Sequence, residues 1–313
     1  MKTALTRSAS EAAGFIRLGG IVAFPTETVY GLGADAFDDA AIRKIFAAKD
    51  RPADNPLIAH VSSTDQIKLL TPEIPQHAQK LIDAFFPGPL TIVLRRSERI
   101  PLIATAGLET IGIRMPRLAL AKEFLTQCAM PVVAPSANLS GRPSPTTWQA
   151  VLEDLDGRID CILQGEATEI GLESTVVDCT SASPVMLRKG AVSLESLRAV
   201  VPETSSVDLS DGDAPRSPGL KHRHYAPQAA VILVTKEMEF AATGAEAFIG
   251  LHQPAGSART IRICDSIEEY AASLFEFFRE CDRSGVTEIY CEAVEERGIG
   301  AALMDRIRRA SER

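Results

Sequence analysis

With 313 residues, the chain is long enough for about two domains of ordinary size. Its 45% of hydrophobic residues and 24% of charged residues are typical of globular proteins and exclude disordered, collagen-like and coiled-coil chains. Because the formal net charge is −8, the surface as a whole should repel nucleic acid, and any anion site has to be a local cluster of cations.

Strand-like and helix-like patterns alternate over residues 1–203. Ser8 and Glu11 have the spacing of a capping box, which predicts a first helix, and Asp38 or Asp39 can cap a second. Further helices are predicted at 75–85, 118–127 and 146–155, and strands at 21–24, 57–61, 91–95, 111–115, 131–134, 161–163, 174–179 and 185–188. This alternation predicts an α/β domain with a twisted, mixed sheet.

The composition changes over residues 204–228, where serine, proline and glycine are frequent and neither a helix nor a central strand can continue. We interpret this segment as a linker. Beyond it, the patterns predict strands at 230–235, 248–251, 260–264 and 287–293, and helices at 266–284 and 298–311. Residues 229–313 are therefore predicted to form a smaller α/β domain with a parallel sheet.

The cysteines and the apolar segments indicate the compartment. Six scattered cysteines show neither disulfide nor zinc-ribbon spacing. No apolar run is long enough for a membrane helix, and the N-terminus has no signal-peptide pattern. We therefore expect a cytoplasmic protein with reduced thiols and no membrane partner.

Two segments of the first domain place polar groups just after predicted elements. Residues 25–33 contain two threonines and two glycines at a strand end, which suits either a polar-ligand loop or an ordinary turn. Residues 49–57 place Lys49 at a helix end and Arg51 just beyond it. This pair can be a phosphate clamp, or Lys49 can cap the helix dipole while Arg51 is a surface charge.

Two later segments have a similar character. Ser136 and Asn138 follow a strand, where they can bind a ligand or build the turn. Residues 217–227 concentrate histidine, lysine, arginine and tyrosine without a carboxylate, which indicates a segment that closes over an anionic ligand rather than a passive tether. Because open α/β sheets bind ligands at strand ends, these segments together favour a polyanion, and a nucleotide is the natural candidate.

Seven motifs resemble those of the threonylcarbamoyl-AMP synthases, in the long two-domain form of the YrdC-like family. They are FPTETVYGLG, KDRPADNPLIAHV, IGIRMP, APSANLSG, LESTVVD, LRKGA and SPGLKHRHYAP. The resemblance implies a YrdC-like catalytic domain over 1–203, a linker or lid over 204–228 and a Rossmann-like domain over 229–313. It also implies an enzyme that condenses L-threonine, bicarbonate and ATP to threonylcarbamoyl-AMP and pyrophosphate.

The family's functional positions carry over onto matching residues of this chain. The catalytic Lys-x-Arg and Ser-x-Asn positions are Lys49, Arg51, Ser136 and Asn138. The expected ATP-binding residues are Lys49, Arg51, Asn55, Thr110, Ser136, Ser144, Arg188, His224 and Tyr225. The expected threonine-binding residues are Thr26, His60, Arg114, Ala134 and Ser174, with the Arg114 guanidinium pairing the amino acid's carboxylate. Asp50 stands where the family more often has glycine, and Leu220 where it more often has methionine; the Asp50 carboxylate could weaken phosphate affinity.

The resemblance further implies that Mg²⁺ arrives with ATP and that the protein has no metal site of its own. The product would pass to a separate transferase that modifies the adenosine next to a tRNA anticodon. We also expect that the enzyme can bind tRNA or other RNA weakly. One alternative function is an RNA-binding module, although the acidic charge and few aromatic residues disfavour it. Another is a carbamoyl-adenylate enzyme of hydrogenase maturation, but the zinc-finger cysteines of that family are not found in the sequence.

Overall fold

The computed structural model describes residues 2–207, 226–235, 246–254 and 258–311, which form two β-sheets flanked by helices. The strands of the larger sheet are β1 (Ala4–Thr6), β2 (Val22–Phe24), β3 (Gly31–Asp35), β4 (Ile58–His60), β5 (Leu90–Arg95), β6 (Thr110–Arg114), β7 (Val132–Ala134), β8 (Cys161–Leu163), β9 (Thr175–Asp178), β10 (Val185–Arg188) and β11 (Ser205–Ser206). Its helices are α1 (Ala9–Arg17), α2 (Asp39–Lys49), α3 (Thr64–Leu70), α4 (Gln76–Phe85), α5 (Ala119–Cys128), α6 (Trp148–Leu155) and α7 (Leu194–Val200), with a short 3₁₀ helix at Leu102–Thr105.

The larger sheet is mixed and twisted, as the sequence predicted. Its strand order is β1-β8-β2-β3-β7-β4-β6-β5-β9-β10-β11. Strands β4 and β6 run parallel, whereas β7 runs antiparallel to β3 and to β4. Because β7 lies between β3 and β4, and β6 lies between β4 and β5, loops from distant parts of the sequence meet near the centre of the sheet.

The smaller sheet contains β12 (Ala230–Val234), β13 (Glu246–Gly250), β14 (Thr260–Ile263) and β15 (Glu288–Glu292) in the order β12-β15-β13-β14. Its three strand pairs are parallel, which confirms the predicted second α/β unit. Helices α8 (Ile267–Arg283) and α9 (Ile299–Ser311) pack on it. The predicted linker lies largely outside the described residues, which omit 208–225, so its boundaries stay predictions.

Apolar side chains cover both faces of the larger sheet. Along β2, Ala23 packs into one core cluster, while its neighbour Phe24 packs into another on the opposite face. This is the alternation that a strand buried on both sides requires. Helix α2 contributes Ile42 to the first cluster, and α5 contributes Phe124 to the second. Such two-sided burial holds the strand ends rigidly, and the polar loops start from those ends.

The predicted helix caps are present. The Ser8 hydroxyl accepts the N–H of Glu11 at 3.3 Å and starts α1. Of the two candidate caps for α2, Asp38 is the one used, since its carboxylate accepts the N–H groups of Ala40 and Ala41 at 2.9 and 3.1 Å. None of the described helices combines the length and the apolar character needed to cross a bilayer.

Strand β3 is the main element that the sequence patterns did not predict; the short elements β1, β11, α3 and α7 were also missed. Gly31 and Gly33 suggested a turn, but both lie in β3. A Cβ at Gly33 would lie 2.6 Å from Cγ1 of Val132 on the neighbouring strand and 3.0 Å from the Phe24 ring. Gly33 therefore permits close packing inside the sheet rather than a turn.

The two sheets share a buried contact. Val29 and Leu172, from loops of the larger unit, belong to the apolar cluster of the smaller unit, together with Tyr270 and Phe275 of α8. The smaller unit thus packs directly on the loops that follow β2 and precede β9.

Candidate active site

A cavity opens among the loops at the centre of the larger sheet. The empty space among its lining atoms is about 620 Å³, which includes part of the open solvent at its mouth. Its lining residues are Thr26, Thr28, Val29, Gly31, Arg51, Pro56, Ile58, His60, Arg114, Ala134, Pro135, Ser136, Glu173, Ser174 and Arg188. Three arginines and one carboxylate line this cavity in a protein of net charge −8, so the cavity is the local cation cluster that the sequence required.

The turn after β2 is built by its own threonines. The Thr26 hydroxyl donates to the Val29 carbonyl at 2.7 Å and lies 2.8 Å from the Thr28 hydroxyl. Because Thr26 has already used its single hydrogen, Thr28 donates to Thr26 and can still accept from Arg114 Nη1 at 2.7 Å. The turn therefore links Thr26 to the guanidinium on β6.

Arg114 is fixed by a buried ion pair. Its Nη2 donates to Glu27 Oε1 at 2.6 Å, and the two side chains are only 4% and 1% exposed. Its Nε donates to the Gly88 carbonyl at 3.3 Å, while the second Glu27 oxygen accepts the N–H of Arg117. Each terminal nitrogen of Arg114 carries two hydrogens, so one N–H on each remains beyond these contacts, as a carboxylate fork needs.

His60 lies beside Arg114 as a neutral ring. Burial, and then the positive charge of Arg114, lower the pKa of His60 to about 3. Its Nδ1 lies 3.1 Å from the Ile58 carbonyl, and its ring meets Phe24 edge to face, with centroids 5.6 Å apart. At neutral pH this position therefore contributes polarity and shape without adding a positive charge.

Ser174 and Arg188 form the wall of the cavity nearest the smaller unit. Arg188 donates through Nε to the Ser174 carbonyl at 3.0 Å and through Nη2 to its hydroxyl at 3.1 Å. The same hydroxyl lies 2.8 Å from that of Thr91. Arg188 thus holds Ser174 while its charge faces the cavity.

Lys49 lies behind the cavity rather than in its lining. Its side chain is buried, and Nζ donates to the carbonyl of Ser136 at 2.6 Å and to the carbonyl of Asn138. Burial, and then the charge of Arg51, hold the pKa of Lys49 well below its usual value. In this structure Lys49 supports the loop after β7, and Arg51 is the member of the pair that lines the cavity.

The Ser-x-Asn loop builds its own turn and also borders the cavity. Ser136 lines the cavity and donates from Oγ to Asn138 Oδ1 at 2.5 Å. The amide nitrogen of Asn138 donates to the carbonyls of Leu139 and Arg142 at 2.7 and 2.9 Å. Asn138 therefore builds the turn and orients Ser136, which faces the ligand space.

Asp50 takes a backbone conformation that explains the unusual residue at this position. Its φ is 50°, in the left-handed region that glycine adopts most easily and that aspartate tolerates better than most residues. Its carboxylate accepts from Arg158 Nη1 at 2.7 Å, and the Arg51 guanidinium donates to the Asn55 carbonyl at 3.1 Å. The Asp50 carboxylate is thus engaged by Arg158.

The structure brings about half of the predicted residues together in the cavity. Those that line it are Thr26, Arg51, His60, Arg114, Ala134, Ser136, Ser174 and Arg188. Five others are described but do not line it: Lys49, Asn55, Thr110, Asn138 and Ser144. His224 and Tyr225, with the rest of 217–225, lie outside the described residues; Ala226, which follows them, donates its N–H to the carbonyl of Gly141 at 3.2 Å.

Three important residues were not singled out from the sequence. Thr28 and Glu27 lie in the quoted FPTETVYGLG motif, and Glu173 in LESTVVD. Glu27 and Glu173 are 1% and 6% exposed. An acidic residue inside an apolar strand-end motif was the available signal, because a buried carboxylate requires a cationic partner.

The donor set does not provide a metal cage. Among the described residues, no three His, Cys, Asp or Glu side chains come together as metal ligands. The carboxylate in the cavity lining, Glu173, accepts from Arg306 Nε at 2.9 Å and from Ser144 Oγ at 2.5 Å. Both of its oxygens are therefore already engaged within the protein.

Comparison with known proteins covers nearly the whole chain. The family profile of Sua5, YciO and YrdC, described as telomere recombination, matches residues 14–190, and the profile described as threonylcarbamoyl-AMP synthase, C-terminal domain, matches 192–312. The threonylcarbamoyl-AMP synthase of Pyrococcus abyssi is 45% identical over 315 residues, 96% of this chain and 93% of that protein. That of Bacillus subtilis is 40% identical over 319 residues, covering 96% and 92%. The crystal structure of P. abyssi Sua5 complexed with L-threonine matches with a TM-score of 0.90 at 42% identity, covering 99% of this chain and 97% of that one.

Proposed function

The chain belongs to the threonylcarbamoyl-AMP synthase family and is an adenylate-forming enzyme, and we propose that it joins L-threonine, bicarbonate and ATP into threonylcarbamoyl-AMP with release of pyrophosphate. The observation that carries the proposal is the convergence of Arg51, Ser136 and Arg188 with Thr26 and Arg114 on one cavity. One cavity with several cations suits a reaction that joins a carboxylate to a nucleoside triphosphate.

In the amino-acid half of the cavity, Arg114 binds the threonine carboxylate through the remaining N–H of each terminal nitrogen. The Glu27 pair keeps the guanidinium from rotating. Neutral His60 and the Ser174 hydroxyl then face an amino acid whose amine must lose a proton before it can attack bicarbonate. A neutral imidazole suits this step because it does not repel the positively charged amine.

In the phosphate half, Arg51 and Arg188 bind the triphosphate, and the Ser136 hydroxyl turns its hydrogen from Asn138 Oδ1 to a phosphate oxygen. The free amine of threonine adds to the carbon of bicarbonate, a C–O bond breaks and water leaves, which gives the N-carboxylate. This carboxylate attacks the α-phosphorus, the bond from that phosphorus to the oxygen bridging to the β-phosphate breaks, and pyrophosphate leaves with the charge. Arg51 and Arg188 stabilise the negative charge that develops on the phosphoryl oxygens. Lys49 holds the loop that presents Ser136, and the arrival of a triphosphate beside Arg51 offsets the repulsion between the two cations.

ATP enters as its magnesium complex, since the carboxylate lining the cavity is already paired and Mg²⁺ prefers phosphate oxygens. Asn55, Thr110, Ser144, His224 and Tyr225 stay predictions for the nucleotide side. All six cysteines are free and buried, which suits a reducing cytoplasm. The product then serves a separate transferase acting on the adenosine next to a tRNA anticodon, while weak direct binding of tRNA stays a prediction.

Pyrophosphate release by the full chain tests the proposal. With MgATP, release should require both L-threonine and bicarbonate, and mass spectrometry should detect threonylcarbamoyl-AMP. Arg51→Ala should reduce turnover sharply, whereas Arg43→Ala, on the exposed face of α2 where it pairs with Asp39, should not. A rate of release that does not depend on threonine would overturn the proposed reaction.

A further inference from the structure

Two buried arginines of the smaller unit reach into the larger one beside the cavity. Arg279 on α8 and Arg306 on α9 have side chains 3% and 0% exposed. Burying two guanidinium groups at one contact is costly unless their hydrogen bonds are supplied by partners placed to receive them. Those partners lie close in sequence to residues of the cavity: in the loops around positions 173 and 189, and in the loop and the helix α6 that follow Ser136.

Arg306 holds the Ser174 and Arg188 side of the cavity. Its Nε donates to Glu173 Oε2 at 2.9 Å, and its Nη2 donates to the carbonyl of Lys189 at 3.1 Å. Glu173 immediately precedes Ser174, and Lys189 immediately follows Arg188. One guanidinium therefore fixes the backbone on both sides of the Ser174–Arg188 contact.

Arg306 also balances the charge inside the cavity. Burial alone would raise the pKa of Glu173, but the charges of Arg306 and then Arg188, with the hydrogen bonds from Ser144 and Arg306, outweigh it and lower that pKa. Without Arg306, the buried carboxylate would depend on Arg188 for its charge partner. It would then compete with an incoming anion for the same guanidinium.

Arg279 holds the Ser-x-Asn loop through Asp154 and Pro143. Its Nη1 and Nη2 donate to the two carboxylate oxygens of Asp154 at 3.1 and 2.8 Å, and Nη2 also donates to the Pro143 carbonyl at 2.6 Å. Asp154 in turn accepts the N–H of Leu139 at 3.2 Å, directly after Asn138. The Ser-x-Asn loop is thus held from behind by Lys49 and from the smaller unit by Arg279.

We propose that Arg306 and Arg279 are positioning residues of the reaction. Through them the smaller unit fixes the position of the Ser174–Arg188 wall relative to the Ser-x-Asn loop. Arg306 sets the Ser174–Arg188 wall, and Arg279 sets the loop that presents Ser136. The inference rests on the proposed function and gives the C-terminal domain a defined part in it. Neither arginine touches the substrates.

The test is steady-state kinetics and calorimetric threonine binding on the full chain, with matched variants on the same helices. Arg306→Met should raise KM for L-threonine and MgATP at least tenfold, with the protein folded by circular dichroism. Arg308→Met is the control on α9, because Arg308 pairs with Glu296 on the surface. Equal KM values in Arg306→Met and Arg308→Met would overturn the role of Arg306.

A double-mutant cycle separates positioning from simple loss of stability. Glu173→Gln in the Arg306→Met background removes the carboxylate that would compete with the substrate for Arg188, so KM in the double variant should fall below that of Arg306→Met alone. If the fold-change in KM of the double variant equals the product of the fold-changes of the two single variants, the two residues are not coupled and the proposal is contradicted. If Arg306→Met does not fold, Arg306→Lys is used instead, because lysine keeps the charge but cannot reach both Glu173 and the Lys189 carbonyl. A KM of Arg306→Lys above the parental value supports the proposal, and a KM equal to the parental value overturns it.

The second arginine has its own control. Arg279→Met should raise KM for MgATP more than for L-threonine, because it loosens the loop of Ser136. Arg283 lies on the same helix, and its half-exposed side chain pairs with Glu153 of the larger unit. Arg283→Met should therefore leave both KM values as in the parent. Equal behaviour of Arg279→Met and Arg283→Met would remove Arg279 from the proposal. A parent that releases no pyrophosphate with threonine would instead refute the proposed function itself, which keeps the two failures distinct.

Discussion

The buried neutral His60 should make the protein less stable in acid by an amount that can be calculated. Burial and the charge of Arg114 lower its pKa from 6.5 to about 3 in the folded state. Between these values the unfolded chain binds a proton that the folded chain does not. Stability from this residue is therefore complete above pH 6.5 and is lost as the pH falls toward 3.

The size of the effect follows from the same values. Each unit of pKa difference is worth about 1.4 kcal/mol, so the loss of unfolding free energy from pH 7 to pH 5 is about 2 kcal/mol, and the loss approaches about 5 kcal/mol only below pH 3. His60→Gln removes the titrating ring at a similar volume. The unfolding free energy that the substitution itself removes should be the same at every pH. The further loss of unfolding free energy between pH 7 and pH 5 should be smaller in His60→Gln than in the parent by about 2 kcal/mol.

Urea unfolding of the parent and of His60→Gln at pH 7 and pH 5 measures the difference. The range from pH 7 to 8.5 is the internal control, since the His60 contribution is nearly constant there and the gap between the two proteins should not change. NMR of the imidazole C2 proton in the native parent provides an independent check. A His60 resonance that titrates with a midpoint near 6.5, or an equal acid loss in the two proteins, would refute the reasoning.

Three further substitutions test separate parts of the site. Arg114→Lys should raise KM for threonine by roughly 10- to 100-fold in steady-state kinetics, because an ammonium cannot replace the fork; a parental KM would contradict this. Asp50→Gly should leave KM for ATP unchanged and raise the unfolding free energy by at most about 1 kcal/mol, because glycine relieves the left-handed φ and only an exposed ion pair with Arg158 is lost. Denaturant unfolding and steady-state kinetics measure these two quantities. An unfolding free energy that falls by more than about 1 kcal/mol, or a changed KM, would contradict the prediction. Gly190→Ala should destabilise the protein by about 1–3 kcal/mol in denaturant unfolding, because its Cβ would lie 2.2 Å from the backbone nitrogen of Thr175; unchanged stability would refute that packing.

The sequence predicted the elements whose patterns are local. The Ser8 cap, the apolar face of α2 and the parallel strands of the smaller sheet all follow from periodicity and capping, and the structure confirms them. Strand β3 was missed because Gly33 has no side chain to show alternation. Its place in the sheet depends on contacts with Phe24 on β2 and Val132 on β7, the neighbouring strands, and no local pattern records such contacts.

The site could be predicted as a set of residues but not as a geometry. Motif matching brought Arg51 and Arg114 to one site, yet the sequence could not show that Lys49 turns inward to the carbonyls of its neighbouring loop. Side-chain direction at a helix end depends on which loop packs against it. Glu173 and Arg306 lie 133 residues apart, so their pairing appears only in three dimensions.

A crystal structure of the full chain with L-threonine and a non-hydrolysable ATP analogue measures the shared cavity most directly. We predict that the threonine carboxylate lies on the Arg114 guanidinium and the triphosphate against Arg51 and Ser136, with the two ligands in contact inside one cavity. Threonine bound away from Arg114, or a nucleotide bound elsewhere on the molecule, would contradict it.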